Sequence, residues 1–235
     1  MFTGERVIEG ITPERIWLDH VSRYRFAANY VKNKKVLDIA CGSGYGSKIL
    51  IENGAISVTG MDISQDTIDY AKNRYVADGL DFIQGDILYI EFPDDFFDIV
   101  ISFETIEHLK DYRKAILEIR RVLKEDGLLI ISSPNRRLTS PGKSINEPPN
   151  NEHHFIEFSK EEFTSLLSEY YEIMGLYGQR PINKVFLIPY LKRVLRKYLP
   201  RFYNPEAGTS MVMKHIFLNE YRYLVAHCIS LKKSL

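Results

Sequence analysis

Three points in the first hundred residues place carboxylates and glycines where a small molecule could be held. Asp38-Ile-Ala-Cys-Gly42-Ser-Gly44-Tyr-Gly46 follows an apolar run and leads into a helical pattern. Glycines at such a turn let the backbone approach a ligand closely and adopt dihedrals that other residues resist. Asp62 ends a second apolar run, where its oxygens can accept both hydroxyls of a ribose, and Asp86 follows a third, near where a base would lie. Taken singly, a glycine turn is often only a tight connection, and an Asp after a strand only a helix cap. Together, at three consecutive strand ends, they point to a cofactor that contains a nucleoside. A dinucleotide site needs Gly-x-Gly-x-x-Gly, with the pyrophosphate on a helix N-terminus. Here the spacing is Gly-x-Gly-x-Gly, and Asp38 would repel a pyrophosphate while suiting a cationic amino-acid headgroup. That spacing disfavours a nicotinamide-dependent oxidoreductase.

A second constellation is Glu104-Thr-Ile-Glu107-His108 together with Asn151-Glu-His153-His154-Phe-Ile-Glu157-Phe158. On a helical turn, positions 104, 107 and 108 share one face. Glu104, Glu107, His108 and His154 converging at one strand edge could make an oxygen and nitrogen site for Mg²⁺ or Mn²⁺. A metal there would lower the pKa of a bound hydroxyl and clamp vicinal hydroxyls. His154 could equally serve as a general base without metal, with Glu104 and His108 shaping an acceptor pocket. A structural or substrate-orienting role is the third alternative.

The elements that must position these groups alternate. Residues 13–32 read as an amphipathic helix, with Thr12 as N-cap, Pro13 in the first turn, and Trp17, Val21, Tyr24, Ala28 and Val31 on one face. Strands are expected at 35–41, 56–61, 80–84, 97–103 and 128–133, and helices at 47–52, from Ser64 to about Ala77, and at 111–124. Strands alternating with helices mean βαβ units, right-handed crossovers and a doubly wound, mostly parallel α/β sheet. Residues 134–158 form a long polar loop, of a kind uncommon without a function. Ser159 with Glu162 is a capping box opening a helix to about Tyr170. Strands at 171–177 and 223–231 close the chain around an inserted segment, residues 181–214. No second hydrophobic core is evident, so a single domain over 1–235 is expected.

This pattern resembles the class I S-adenosylmethionine-dependent methyltransferases. The resemblance covers about residues 20–178 and rests on Val36–Gly46, Met61-Asp62-Ile63, Gly85-Asp86-Ile87, Phe97–Leu109 and Leu123–Ser133. It implies a seven-stranded Rossmann-like sheet with a C-terminal β-hairpin, and S-adenosyl-L-methionine as cofactor. Asp38 and the glycine loop would hold the methionine part, Asp62 the ribose hydroxyls and Asp86 the adenine amine. The full cofactor set expected is Tyr24, Asp38, Ala40, Cys41, Gly42, Ser43, Gly44, Tyr45, Gly46, Asp62, Ile63, Asp86, Ile87 and Phe103. Tyr24 would reach the methionine carboxylate or simply pack its helix. Ala40 stands where the family often has a glycine, a small change from which little consequence is expected. Acceptor groups should come from the end of the fourth strand and the loop after the fifth. The histidines and carboxylates there resemble two metal-dependent branches, the small-RNA 3′-end 2′-O-methyltransferases and the O-methyltransferases of ubiquinone biosynthesis. Many methyltransferases carry Glu-x-x-Glu-His-Leu without a metal, His108 then packing and hydrogen-bonding. The start at Glu5-Arg6 and the Arg23-Tyr24 segment resemble bacterial cell-surface polysaccharide enzymes. The expected reaction is O-methylation of a small-molecule or saccharide hydroxyl by in-line displacement, with a non-catalytic S-adenosylmethionine-binding protein as the rival of another class.

Composition bounds these readings. The 235 residues are 45% hydrophobic and 26% charged, an ordinary globular balance that excludes disorder, collagen-like repeats and a disulfide scaffold. Cys41 and Cys228 form no paired framework and no zinc spacing, and no leader pattern or run of about 18 apolar residues is visible, so a cytoplasmic location is expected. The neutral net charge hides an asymmetry. Residues 181–235 carry ten Lys/Arg against Glu206 and Glu220, a net +8, which leaves −8 for residues 1–180. Within that tail, residues 184–203 contain a basic amphipathic helix from about Pro189 to Pro200. It could pack on the domain, cap the site as a lid, or meet a membrane or lipid-linked substrate through 189–203. RNA phosphate is the remaining option, disfavoured by the acidic body and the lack of an RNA-binding motif.

Overall fold

In the computed structural model, which describes residues 6–183, 212–214 and 219–231, the apolar runs become strands of one sheet. β1 (Lys35–Ile39), β2 (Ser57–Asp62), β3 (Leu80–Gln84), β4 (Phe97–Ser102) and β5 (Leu123–Pro134) pair in parallel in the order β3-β2-β1-β4-β5. Helices α1 (Glu14–Ala28), α2 (Tyr45–Glu52), α3 (Gln65–Arg74) and α4 (Tyr112–Val122) precede or connect them. The order turns back at β1, which lies between β2 and β4, and a crevice opens at the carboxyl ends of such strands. After α5 (Arg136–Thr139) and α6 (Lys160–Ser168) come β6 (Tyr171–Asn183), β7 (Met213–Lys214) and β8 (Asn219–Ser230), all antiparallel, with β8 between β5 and β6. Among the described residues the sheet therefore has eight strands instead of seven, the two-residue β7 extending its edge. Both hairpin strands are longer than expected. Residues 181–183 belong to β6 and 213–214 to β7; the basic helix expected over 189–200 and the contact surface over 189–203 lie outside the described residues. Among the described residues, no helix is long and apolar enough to cross a membrane.

Alternate residues of a strand face opposite sides, and each side here has its own core. Val36, Ile99, Ile101 and Ile130 pack with Val21, Tyr24 and Ala27 of α1 and Leu50 of α2. Leu37, Val100, Leu129 and Ile131 pack with Ile116 and Ile119 of α4 and Phe163 and Leu167 of α6. Covered on both faces, β1 and β4 can be apolar almost without interruption.

The capping box of α6 is present: Ser159 Oγ accepts from Glu162 N–H, and the Glu162 carboxylate accepts from Ser159 N–H at 2.7 Å. The start of α1 differs from expectation. The Thr12 hydroxyl turns back to accept from Ile8 N–H at 2.8 Å; Pro13 stands at the cap position with no side-chain cap, and the helix begins with Glu14. Helix α4 stops at Val122, and β5 starts at Leu123 with Asp126 in the left-handed region at φ +57°. A buried polar clamp ties α1 to β6. Arg180 Nε donates to Asp19 Oδ2 at 2.6 Å, Arg23 donates to Gln179 Oε1 at 2.6 Å, and Gln179 Nε2 donates to the Asp19 carbonyl at 2.9 Å. Desolvation offsets much of the attraction in such a buried pair, while removal of one partner alone would leave an uncompensated charge. The polar segment after β5 is held by side chain to backbone bonds. Arg136 reaches the carbonyls of Glu157 and Lys143 and the Glu162 carboxylate, and Asn135 forms a parallel bridge with Phe158.

Candidate active site

The carboxyl edge of the parallel strands opens into a cavity of about 1050 Å³, at the upper end of the size that holds one small ligand. Ala40, Cys41, Gly42, Ser43, Tyr45, Asp62, Ile63, Asp86 and Ile87 line the β1–β3 half, together with Tyr24 and Phe103. Gly42 has φ +55° and open space where a side chain would project. Ser43 Oγ donates to the Val7 carbonyl at 2.6 Å, which draws the segment before α1 onto the glycine turn. Asp62 Oδ2 accepts from Gly42 N–H at 3.1 Å and Oδ1 from Ser64 N–H at 3.0 Å. A carboxylate has about four acceptor positions, so Asp62 keeps capacity for a diol, and Asp86, whose Oδ1 accepts from Leu88 N–H at 2.8 Å, keeps capacity likewise. This donor and acceptor set fits an adenosine.

Asp38, Gly44 and Gly46 stand behind this wall and do not line it. Asp38 is fully buried, accepting from Tyr24 Oη at 3.0 Å and Ser47 Oγ at 2.6 Å. Burial pushes its carboxyl up to about 7 against the pull of those two bonds. A Cβ on Gly46 would meet the Tyr24 ring at 2.1 Å, so that glycine admits the tyrosine. Tyr24 thus both lines the cavity and closes it over Asp38. Ala40 takes φ +54°, so its departure from glycine is felt in backbone strain and not in bulk.

The β4–β5 half is different. Glu104 does not share a helical face with Glu107 and His108. It takes φ +50° ahead of a 3₁₀ turn at Ile106–His108, and Ser132 anchors it: the Ser132 hydroxyl accepts from Glu104 N–H at 3.1 Å and lies 2.7 Å from Glu104 Oε1, to which it donates. The groups that do converge are Glu107, His108 and His154, which can each offer a ligand atom within 4.8 Å of the others. Glu104 is outside that set. Glu107 is buried, with neither carboxyl oxygen hydrogen-bonded; burial first, then the Glu104 charge, pushes its carboxyl well above the usual range. Its carbonyl accepts from Phe155 N–H at 2.8 Å, which brings the histidine loop to the turn. His108 Nδ1 lies 3.0 Å from the His153 carbonyl, and the His108 and His154 rings stand nearly perpendicular with centroids 4.9 Å apart. His154 Nδ1 lies 2.7 Å from Glu157 Oε1.

Several cavity residues carry no local sequence signal. His20 of α1 lines the wall, its imidazole pushed well below the ordinary value by burial and then by the Arg23 charge. Thr139, Asn151, Glu157, Arg222 and Tyr223 line it too. Glu157 and Asn151 sit beside His154 in the chain, so their i, i+3 spacing from it was the available clue; β8 residues could be found only through the sheet register, which sets Tyr223 against Pro134.

Residues 37–131 match the methyltransferase domain family. A protein of Mycolicibacterium smegmatis with the name Probable S-adenosylmethionine-dependent methyltransferase is 36% identical over 166 residues, 70% of this chain and 62% of its own length. Phthiotriol/phenolphthiotriol dimycocerosates methyltransferase 1 of Mycobacterium ulcerans is 32% identical over 115 residues, 48% of this chain and 42% of that one. The chain thus spans less than two thirds of these curated relatives. Among solved structures, an S-adenosylmethionine-dependent methyltransferase from Mesorhizobium loti has a TM-score of 0.62 at 15% identity, covering 92% of this chain and 97% of that one. The [4+2]-cyclase SpnF has a TM-score of 0.62 at 17% identity, over 96% and 86%. Those two likenesses concern the fold. The match over residues 37–131 gives that stretch the sequence pattern of a methyltransferase domain, and the sheet around it has the fold of the solved S-adenosylmethionine-dependent methyltransferase.

Proposed function

We propose that the chain transfers the methyl group of S-adenosylmethionine to a hydroxyl of a small molecule or saccharide. The observation that carries this reading is one cavity with an adenosine-compatible wall on one side and a carboxylate-held histidine on the other. The cofactor, when bound, supplies a methyl group on an already activated sulfur. The chain then has to orient the acceptor and take its proton. Asp62 offers its remaining acceptor positions to the ribose hydroxyls and Asp86 accepts from the adenine amine. Tyr24, braced by Asp38, closes the methionine end. His154 Nε2 takes the proton, while Glu104, held by Ser132, and His108 orient the acceptor. The relative from Mycobacterium ulcerans bears the name of a triol-containing acceptor, which is compatible with a hydroxyl as the target.

Calorimetric titration with S-adenosylhomocysteine, against Asp62→Ala, tests the cofactor half. Binding by the wild type that is lost in the variant supports the proposal, and no binding overturns it. Turnover with hydroxylated sugars and phenols tests the rest; binding without turnover on any of them favours a non-catalytic binding protein. A metal-assisted version, acting on a phenol or a vicinal diol of RNA, is favoured by the Glu107, His108 and His154 cluster and its unpartnered carboxyl group. Its mark would be turnover abolished by chelation and restored by Mg²⁺ or Mn²⁺.

A further inference from the structure

The hydrogen bonds around His154 determine which of its nitrogens carries the proton. Asn151 Oδ1 accepts from His153 N–H at 3.1 Å, so the opposite end of that amide, Nδ2, is the one facing His154. An amide nitrogen only donates. The His154 Nε2 that it meets at 2.9 Å therefore presents its lone pair. On the other side, Glu157 is almost fully covered at the cavity wall, with the Thr139 and Ser140 hydroxyls donating to its Oε2 at 2.6 and 2.7 Å. Both hydroxyls engage Oε2, which leaves Oε1 facing the His154 ring. Glu157 Oε1 is thus an acceptor, and the Nδ1 that lies 2.7 Å away is the protonated nitrogen. The turn is closed by His154 N–H donating to the Asn151 carbonyl at 3.1 Å. Thr139, Asn151, His154 and Glu157 all line the cavity.

We propose that Glu157 is the positioning residue for proton transfer: it locks His154 as the Nδ1–H tautomer and leaves the Nε2 lone pair for the acceptor, whose O–H takes the place held by the Asn151 amide. This rests on the reading of His154 as the proton acceptor. In the step, the acceptor O–H bond breaks, its electron pair stays on oxygen for the new bond to the methyl carbon, the carbon's bond to the sulfonium sulfur would break with that pair going to sulfur to leave a neutral thioether, and the proton goes to Nε2. The resulting imidazolium is met by the Glu157 carboxylate at hydrogen-bond distance. A consequence follows for specificity. Only a group that donates, O–H or N–H, can replace the Asn151 N–H, so an acceptor without such a group gains nothing from His154.

The test uses the full chain with ¹⁵N-labelled histidine, observed by NMR at about pH 8, above the ordinary histidine range, with His154→Asn to assign the signals. The wild type is expected to show a pyrrole-type Nδ1 and a pyridine-type Nε2 at His154. In Glu157→Gln the amide oxygen stays with the Thr139 and Ser140 hydroxyls and its NH₂ turns toward Nδ1, so Nδ1 loses its acceptor, the ring meets a donor on both sides, and the single Nδ1–H tautomer should give way to a mixture. A protonated Nε2 in the wild type, or the same tautomer in Glu157→Gln, overturns the proposal. Should that variant not fold, Asn151→Asp places an acceptor opposite Nε2 and should yield a doubly protonated ring; a bare Nδ1 there overturns the lock. With an acceptor in hand, Glu157→Gln should lower kcat by about 100-fold or more with S-adenosylhomocysteine affinity unchanged. Equal loss of both would assign Glu157 to the fold alone. If the wild type fails to bind S-adenosylhomocysteine, the methyltransferase reading falls, while the nitrogen spectra still decide the tautomer.

Discussion

The two halves of the cavity are made in different ways. The β1–β3 half uses strand ends and the backbone beside them: Asp62 is satisfied by the N–H groups of Gly42 and Ser64, and Asp86 by that of Leu88. The β4–β5 half uses side chains from distant segments, Glu104 on Ser132, and His154 on Glu157 with Thr139 and Ser140. Backbone groups are present whatever the side chains, so the first half tolerates sequence change except at its few carboxylates and glycines. A side-chain network fails as a unit when one member loses its partner. Under the proposed function, variation in the acceptor is therefore expected to map to the second half, and variation in whether the cofactor binds to the first.

The sharpest break of that contrast is His154→Ala. Turnover should fall by about 10²- to 10⁴-fold, the usual range for a general base, with S-adenosylhomocysteine binding intact by calorimetry. Loss of cofactor binding in this variant would merge the halves.

Next is the pH dependence carried by Asp38. Its folded pKa, up to about 7, lies above the unfolded value, so the neutral form stabilises the fold fully below the ordinary carboxyl range. That contribution is lost as pH rises from about 4 through about 7, by at most about 4 kcal/mol. Denaturant melts of the unliganded protein across that window should show stability falling toward neutral pH, with a flatter profile in Asp38→Asn. An equal slope in both would remove Asp38 as the cause.

Asp62→Ala should weaken S-adenosylhomocysteine by about 100-fold, the loss of two hydrogen bonds to a charged group. The His154 tautomer should stay as it is, since nothing in the second half touches Asp62. The smallest effect is expected at Ala40, whose φ of +54° strains an alanine. Ala40→Gly should stabilise the chain by a few tenths to about 1 kcal/mol, the relief of strain being partly offset by the freer unfolded chain. A lower thermal midpoint in Ala40→Gly would show that the alanine is not strained there.

Much of the first half could be read from residue order. An apolar strand ending in an acidic or glycine residue places that residue on the carboxyl edge through local geometry alone, and Asp62, Asp86 and the Gly42 turn were legible for that reason. Asp38 was assigned to the ligand by the same logic, yet its side chain points behind the wall to Tyr24 and Ser47, which only the packing of α1 against α2 could decide. In the second half the residue types were legible and their grouping was not. The spacing of Glu104, Glu107 and His108 implies a shared helical face, but left-handed backbone at Glu104 and the pull of Ser132 separate it from the others.

By itself the sequence determined the doubly wound sheet, the adenosine-compatible strand ends and the capping box at Ser159, because strand alternation, turn chemistry and caps are settled within a few residues. The tertiary structure alone decided that β8 slots between β5 and β6, that Arg180 of β6 clamps α1 through Asp19, and that Glu157, backed by Thr139 and Ser140, holds His154 at the cavity. Those contacts depend on sheet register and on buried polar groups finding partners, and apart from the i, i+3 spacing of Glu157 from His154 they leave no local trace in the order of the amino acids.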